Sequence, residues 1–135
     1  MTDLDFSLRF DAKDHVLLIA IGTRLNKSIY MAAYDALKRF VATRERCSVI
    51  LDMCAVTDFD LSTEFLREIG SMKPAVPVGM SRVAVAAQPA IYGSARIVQA
   101  LRTGTLAPIT VVRTIDEAYE FYGAAAADFV AVDPI

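Results

Sequence analysis

The chain reads as an α/β domain, with one mixed, mostly parallel five-stranded sheet and four helices in the order β-β-α-β-α-β-α-β-α. Three observations lead there. Short apolar runs such as Val16 to Ile21, Val49 to Leu51 and Arg82 to Ala87 are too brief for helices and read as buried strands. Between them lie stretches whose apolar residues recur every three or four positions, the stripe of a helix laid on a sheet. The hydrophobic fraction, 55%, is high for a solitary soluble domain. It suits a sheet covered on both faces, or apolar surface hidden in an oligomer.

In chain order, Phe6, Leu8 and Phe10 alternate with Ser7 and Arg9, a strand with one wet face at a sheet edge. The turn Asp11-Ala12-Lys13-Asp14 leads to Val16–Ile21, which completes an antiparallel hairpin. His15, the sole histidine, has no partner at ligand spacing and reads as a surface or capping residue. Gly22 to Ser28 follows a strand and precedes a helix, as a phosphate-binding loop does. It is one residue short of that motif and has Asn26 where the second glycine belongs, so it reads as a turn capped by Asn26 or Ser28.

Ile29 to Arg44 is a helix with Ile29, Ala33, Ala36, Leu37, Phe40 and Val41 on its buried face. The strand Val49-Ile50-Leu51 ends at Asp52. An acidic turn, Asp58-Phe59-Asp60, then delivers Ser62 and Thr63 to a helix striped by Leu61, Phe65, Ile69 and Met72. The segment 70–81 contains Pro74 and Pro77, which exclude a regular helix or a central strand. Its apolar Met72, Val76, Val78 and Met80 either line a ligand or interface surface or cap the core.

Arg82 to Ala87 is the fourth strand, and Pro89 opens a helix striped by Ile91, Ala95, Val98 and Leu101. Small Gly93, Ser94 and Ala95 are expected to let that helix pack closely. Ile109 to Val112 is the fifth strand. Thr114-Ile115-Asp116-Glu117 has the spacing of a capping box for a last helix, which turns Ala118, Phe121 and Tyr122 inward and stops at Gly123. The tail 124–135 carries Phe129-Val130-Ala131-Val132, an apolar patch for the domain body or a dimer partner.

At 135 residues the whole chain, 1–135, is expected to form one domain. A chain of this size buries roughly two thirds of its unfolded surface and needs neither disulfide nor metal. The net charge of −2, with both signs interspersed, leaves no footprint for nucleic acid. No run approaches the ~18 apolar residues that span a bilayer. Met-Thr-Asp-Leu-Asp at the start lacks a secretory signal, so the expected location is the cytoplasm. Cys47 and Cys54 flank a strand, roughly 20 Å apart if extended, and are expected as reduced, buried small residues.

The element order over about Leu4 to Gly123, with Val49-Ile-Leu-Asp52 and Val56-Thr-Asp-Phe-Asp60-Leu-Ser62, resembles the STAS family, the sulfate-transporter and anti-sigma-factor-antagonist domains. The tail 124–135 lies beyond the match. That family carries a phosphorylatable serine in an Asp-x-Ser at a helix start. The resemblance matches Asp60 to the aspartate, Ser62 to the phosphoacceptor and Asp52 to the acidic strand end, with Thr63 a neighbouring hydroxyl. The family commonly reads Asp-Ser-Ser-Gly, whereas this chain has Asp60-Leu61-Ser62-Thr63. The second half, including Ala90-Ile91-Tyr92-Gly93, is similar to a bacterial STAS-like subgroup that shares the topology of CRAL-TRIO lipid-binding domains.

Two binding functions follow, and a third reading, an enzyme, is disfavoured. The resemblance implies a regulatory module that binds a protein partner such as an anti-sigma-type kinase, with Asp58, Asp60 and Glu64 on the contact surface. The hydropathy and the 70–81 segment imply instead a pocket for a small apolar ligand or lipid, with Met72, Val76, Val78, Met80 and Tyr92 as lining. A homodimer is expected from the apolar excess. Against an enzyme stand the single histidine and the lack of a Gly-x-Ser-x-Gly elbow, a dinucleotide loop or a metal-ligand cluster; no metal or cofactor is expected.

Overall fold

The computed structural model describes residues 5–42, 47–72, 81–102 and 108–132. β1 (Phe6–Asp11) and β2 (Val16–Ile21) form the expected antiparallel hairpin, paired from Phe6↔Ile21 to Asp11↔Val16. The reversal is an Asx-type turn: Asp11 Oδ1 accepts the N–H groups of Lys13 (3.0 Å) and Asp14 (3.2 Å). Exposed His15 completes it at φ 55°, in the left-handed region.

β2 lies beside β4 (Ser48–Asp52), which pairs with β6 (Arg82–Val85), which pairs with β7 (Thr110–Val112), all parallel. Four helices accompany them: α1 (Lys27–Ala42), α2 (Thr63–Ser71), α3 (Pro89–Arg102) and α4 (Ile115–Tyr122). The α/β class and the mixed sheet are as expected. The strand count is not.

The main sheet has six strands in the order β7-β6-β4-β2-β1-β8. The sixth, β8 (Val130–Val132), comes from the tail and pairs antiparallel with β1 through Leu8↔Val132, Arg9↔Ala131 and Phe10↔Val130. β1 is therefore an inner strand, and the edge passes to β8. A three-residue strand carries too short a pattern for alternation to reveal it. A second, two-stranded sheet joins β3 (Arg24–Asn26) to β5 (Asp58–Asp60) in parallel. The expected acidic turn is thus a strand, made so by a partner more than thirty residues earlier.

The sheet is covered on both faces. Along β2, Leu17, Ile19 and Ile21 join a core with Ile29, Ala33, Leu37 and Phe40 of α1 and Ile91 of α3. Val16 and Leu18 join the other core, with Ile50, Val83 and Val85 of the sheet, Ala118 of α4 and Phe129. Phe129 packs its ring on Tyr119 at 5.4 Å and seats the tail on the body. A third cluster, Phe65, Leu66, Ile69 and Val98, locks α2 to α3.

The local signals for helix ends hold. Asn26 Oδ1 accepts Ile29 N–H at 2.9 Å, Thr114 Oγ1 accepts Glu117 N–H at 3.2 Å, and Gly123 closes α4 at φ 64°. Glu117 Oε1 accepts from the Thr114 hydroxyl (3.1 Å), where a full capping box would have it accept the cap's own N–H.

Four packing expectations are corrected. Leu101 is 47% exposed and Phe121 53% exposed, because both stand at the rim of the helix face assigned to them. Cys54 is exposed while Cys47 is buried, both as free thiols. Gly93 faces open space, since a Cβ there would meet nothing within 4 Å. The close approach occurs instead at Gly70 of α2, where a Cβ would lie 2.6 Å from Leu101 Cδ1 and 2.7 Å from Leu101 Cβ.

Candidate functional site

Two places answer to the residues singled out above. The first is the start of α2. Ser62 takes extended angles (φ −70°, ψ 158°), and its Oγ accepts Phe65 N–H at 3.1 Å, so it is the helix N-cap. Ser62, Thr63 and Glu64 are all exposed, as are Asp58 and Asp60 at the ends of β5.

The corner is less acidic than its local sequence implies. The β3–β5 pairing sets Arg24 opposite Asp58, with Nε to Oδ2 at 3.7 Å, both side chains 67% exposed. Lys27 Nζ stands 5.3 Å from the centroid of the Phe65 ring. So open a pair as Arg24–Asp58 adds little stability, yet it places a cation within the patch. Both cations come from a segment distant in sequence, so local reading missed them.

Asp52 ends β4 as expected and is half-buried; its Oδ1 accepts Cys54 N–H at 2.9 Å. Partial burial, then the Asp52 carboxylate beside it, push the Cys54 thiol up to about 12. Burial raises the Cys47 thiol to about 11. Neither position favours a nucleophilic thiolate.

The second place lies between the sheet and the helices over it. A cavity of about 100 Å³ is walled by Ile19, Leu37, Leu51, Ile69, Met72 and Ile109. A second, of about 70 Å³, shares Leu51, Ile69 and Ile109 and runs along α3 past Val98. Two arginines also line the larger one: Arg82, which opens β6, and Arg102, which ends α3 and is 5% exposed. They are the charged side chains among its described lining residues. Arg102 Nη2 donates to Ile69 O (2.9 Å) and to Met72 O, tying the end of α2 to α3.

Tyr30 and Tyr34 complete the polar part of the lining. Burial lifts the Tyr30 hydroxyl above its ordinary range, and its ring stands edge-on to Phe65 at 5.6 Å. Burial, and then the charge of Arg102, lower the Arg82 guanidinium from its usual value. The two cations feel each other through a medium that screens them poorly.

Of the lining expected from sequence, Met72 is in the cavity wall. Tyr92 is not: it is half-buried under the Arg113 guanidinium, 4.2 Å from the ring centroid, and lines neither cavity. Val76, Val78 and Met80 lie outside the described residues. Sequence reading missed Arg82, Arg102, Tyr30 and Tyr34. The available signal was a basic residue closing the apolar stripe of α3, which in most helices is a solvated end.

Among the described residues, no helix is long and apolar enough to cross a membrane. No protein-family model matches the chain, and no curated protein matches it significantly.

Proposed function

We propose that this chain is a non-catalytic binding module for a small amphipathic anion, with an apolar body in the paired cavities and a charged head at Arg82 and Arg102. One observation carries the reading: walls of Ile, Leu, Val and Met that meet two guanidiniums and two tyrosines at one place. Apolar walls with a few convergent polar groups are the ordinary build of a ligand site. Engineered cavities of about 150 Å³ lined by such residues stay dry and take up benzene, so a space of this size holds part of a short chain or ring. A carboxylate or phosphate beside the two arginines would relieve their mutual repulsion.

Native mass spectrometry of the purified protein, with calorimetry using decanoate, decyl phosphate and 1-decanol, tests this. Both anions should bind at least ten-fold more tightly than the alcohol, and Arg82→Leu should erase the preference. Absence of a co-purifying ligand, together with no binding of any of the three, refutes the reading.

A second reading, a STAS-like regulatory module recognised by a protein partner such as an anti-sigma-type kinase, is favoured by the exposure of Ser62 and Thr63 beside Asp60 and Glu64. A phosphate on Ser62 would sit at the N-terminus of α2, where helix N–H groups favour negative charge. Ser62→Asp should then fold normally and lose partner binding. Full retention of the partner in a pull-down removes this reading. A cytoplasmic setting and a homodimer belong to both, and light scattering that finds only monomer at high micromolar concentration excludes the dimer.

A further inference from the structure

The β1–β2 turn and the tail meet at a group of carboxylates that neither reading uses. Asp11, Asp14 and Asp128 each place one oxygen so that all three lie within 4.8 Å of one another. Asp11 and Asp14 belong to the turn, and Asp128 ends a single 3₁₀ turn, Ala126–Asp128, that leads into β8. Lys13, between the first two, is exposed. Sequence reading found no ligand cluster here, because Asp128 is more than a hundred residues from its companions.

An acidic cluster alone is no site. The second observation concerns Asp11 itself, a carboxylate with 0% exposure. Its Oδ1 is taken up by the N–H groups of Lys13 and Asp14. Its Oδ2 is buried, and no hydrogen-bond donor among the described residues reaches it. A buried carboxylate oxygen without a donor is costly, and two further carboxylates beside it raise the cost. An open cleft of about 340 Å³, bordered by Asp11, Lys13, Asp128 and Val130, gives small ions a way in.

We infer that Asp11, Asp14 and Asp128 form a divalent-cation site, best suited to Ca²⁺, that fastens the tail to the hairpin turn. Calcium takes oxygen ligands at about 2.3–2.6 Å, so two oxygens on one ion stand at most about 5 Å apart, as these do. Magnesium gives up its water reluctantly and usually takes only one or two carboxylates, so a group of three favours calcium. Water would fill the remaining positions on the open side. The cation bridges the turn to the residue just before Phe129 and β8, so the sixth strand becomes linked to cation concentration.

Calorimetry with Ca²⁺ and Mg²⁺ on the full chain, thermal melting in EDTA or millimolar Ca²⁺, and hydrogen exchange at residues 128–132 test the site. Calcium should bind more tightly than magnesium, raise Tm by a few degrees and slow exchange in β8. Asp128→Asn should melt no lower than wild type in EDTA and lose the calcium shift. Asp11→Asn, which keeps the Oδ1 acceptor of the turn, should lose it too. No calcium heat and no Tm shift in the wild type, or an equal shift in both variants, overturns the inference.

Discussion

The same substitution at two helical glycines should act with opposite sign. Gly93 lies inside α3 with open space where its Cβ would be, so Gly93→Ala keeps only the propensity gain of about 0.8–1 kcal/mol. Gly70 lies near the end of α2, where that gain is at most about 1 kcal/mol. There the new methyl would lie 2.6 Å from Leu101 Cδ1 and 2.7 Å from Leu101 Cβ. The Cδ1 atom can swing away, since Leu101 is 47% exposed. The Cβ is fixed to the backbone of α3, so the two helices must separate at the cluster of Phe65, Leu66, Ile69 and Val98. Overpacking of this kind costs about 1–3 kcal/mol, which outweighs the propensity term and leaves Gly70→Ala destabilised by about 1 kcal/mol. Urea denaturation should show an unchanged slope with midpoints moved in opposite directions. Adding Leu101→Ala should rescue Gly70→Ala only in part, because the Cβ contact persists. Equal stabilisation by both substitutions would refute the close approach of α2 and α3.

Three further outcomes follow from the same structure. Ser62→Ala removes the acceptor for Phe65 N–H and should cost about 1 kcal/mol, whereas Ser62→Asp should hold stability because its carboxylate also caps; a melting point unchanged in Ser62→Ala excludes the cap. Phe129→Ala should cost about 3 kcal/mol and release β8 from β1, read by denaturant titration and by exchange at 130–132; a loss below about 1 kcal/mol would mean the tail is not anchored there. A thiol raised to about 12 is less ionised at any pH below that value, so at pH 9 Cys54 should be about one-thousandth thiolate where an ordinary cysteine is mostly ionised. Its alkylation, followed by peptide mass spectrometry, should be correspondingly slow despite its exposure and should quicken steadily up to about pH 12. Reaction as fast as a free thiol at pH 9 rules out the shift that partial burial and Asp52 together impose.

What residue order alone determined is local. The hairpin, the buried strands at 16–21 and 49–51, the four helices and the caps at Thr114 and Gly123 each depend on residues within one or two turns of each other. Their periodicity and hydrogen bonds are therefore written contiguously. Tertiary structure decided the rest: that Val130–Val132 adds a sixth strand, that 58–60 becomes a strand because 24–26 lies beside it, and that Phe121 and Leu101 stand at a rim. It also decided which charges meet. Arg82 and Arg102 share a cavity, and Asp128 reaches Asp11 and Asp14, only after strands far apart in the chain are laid side by side. Electrostatic neighbours depend on distance through space, and no spacing along the chain records that distance until the sheet has formed.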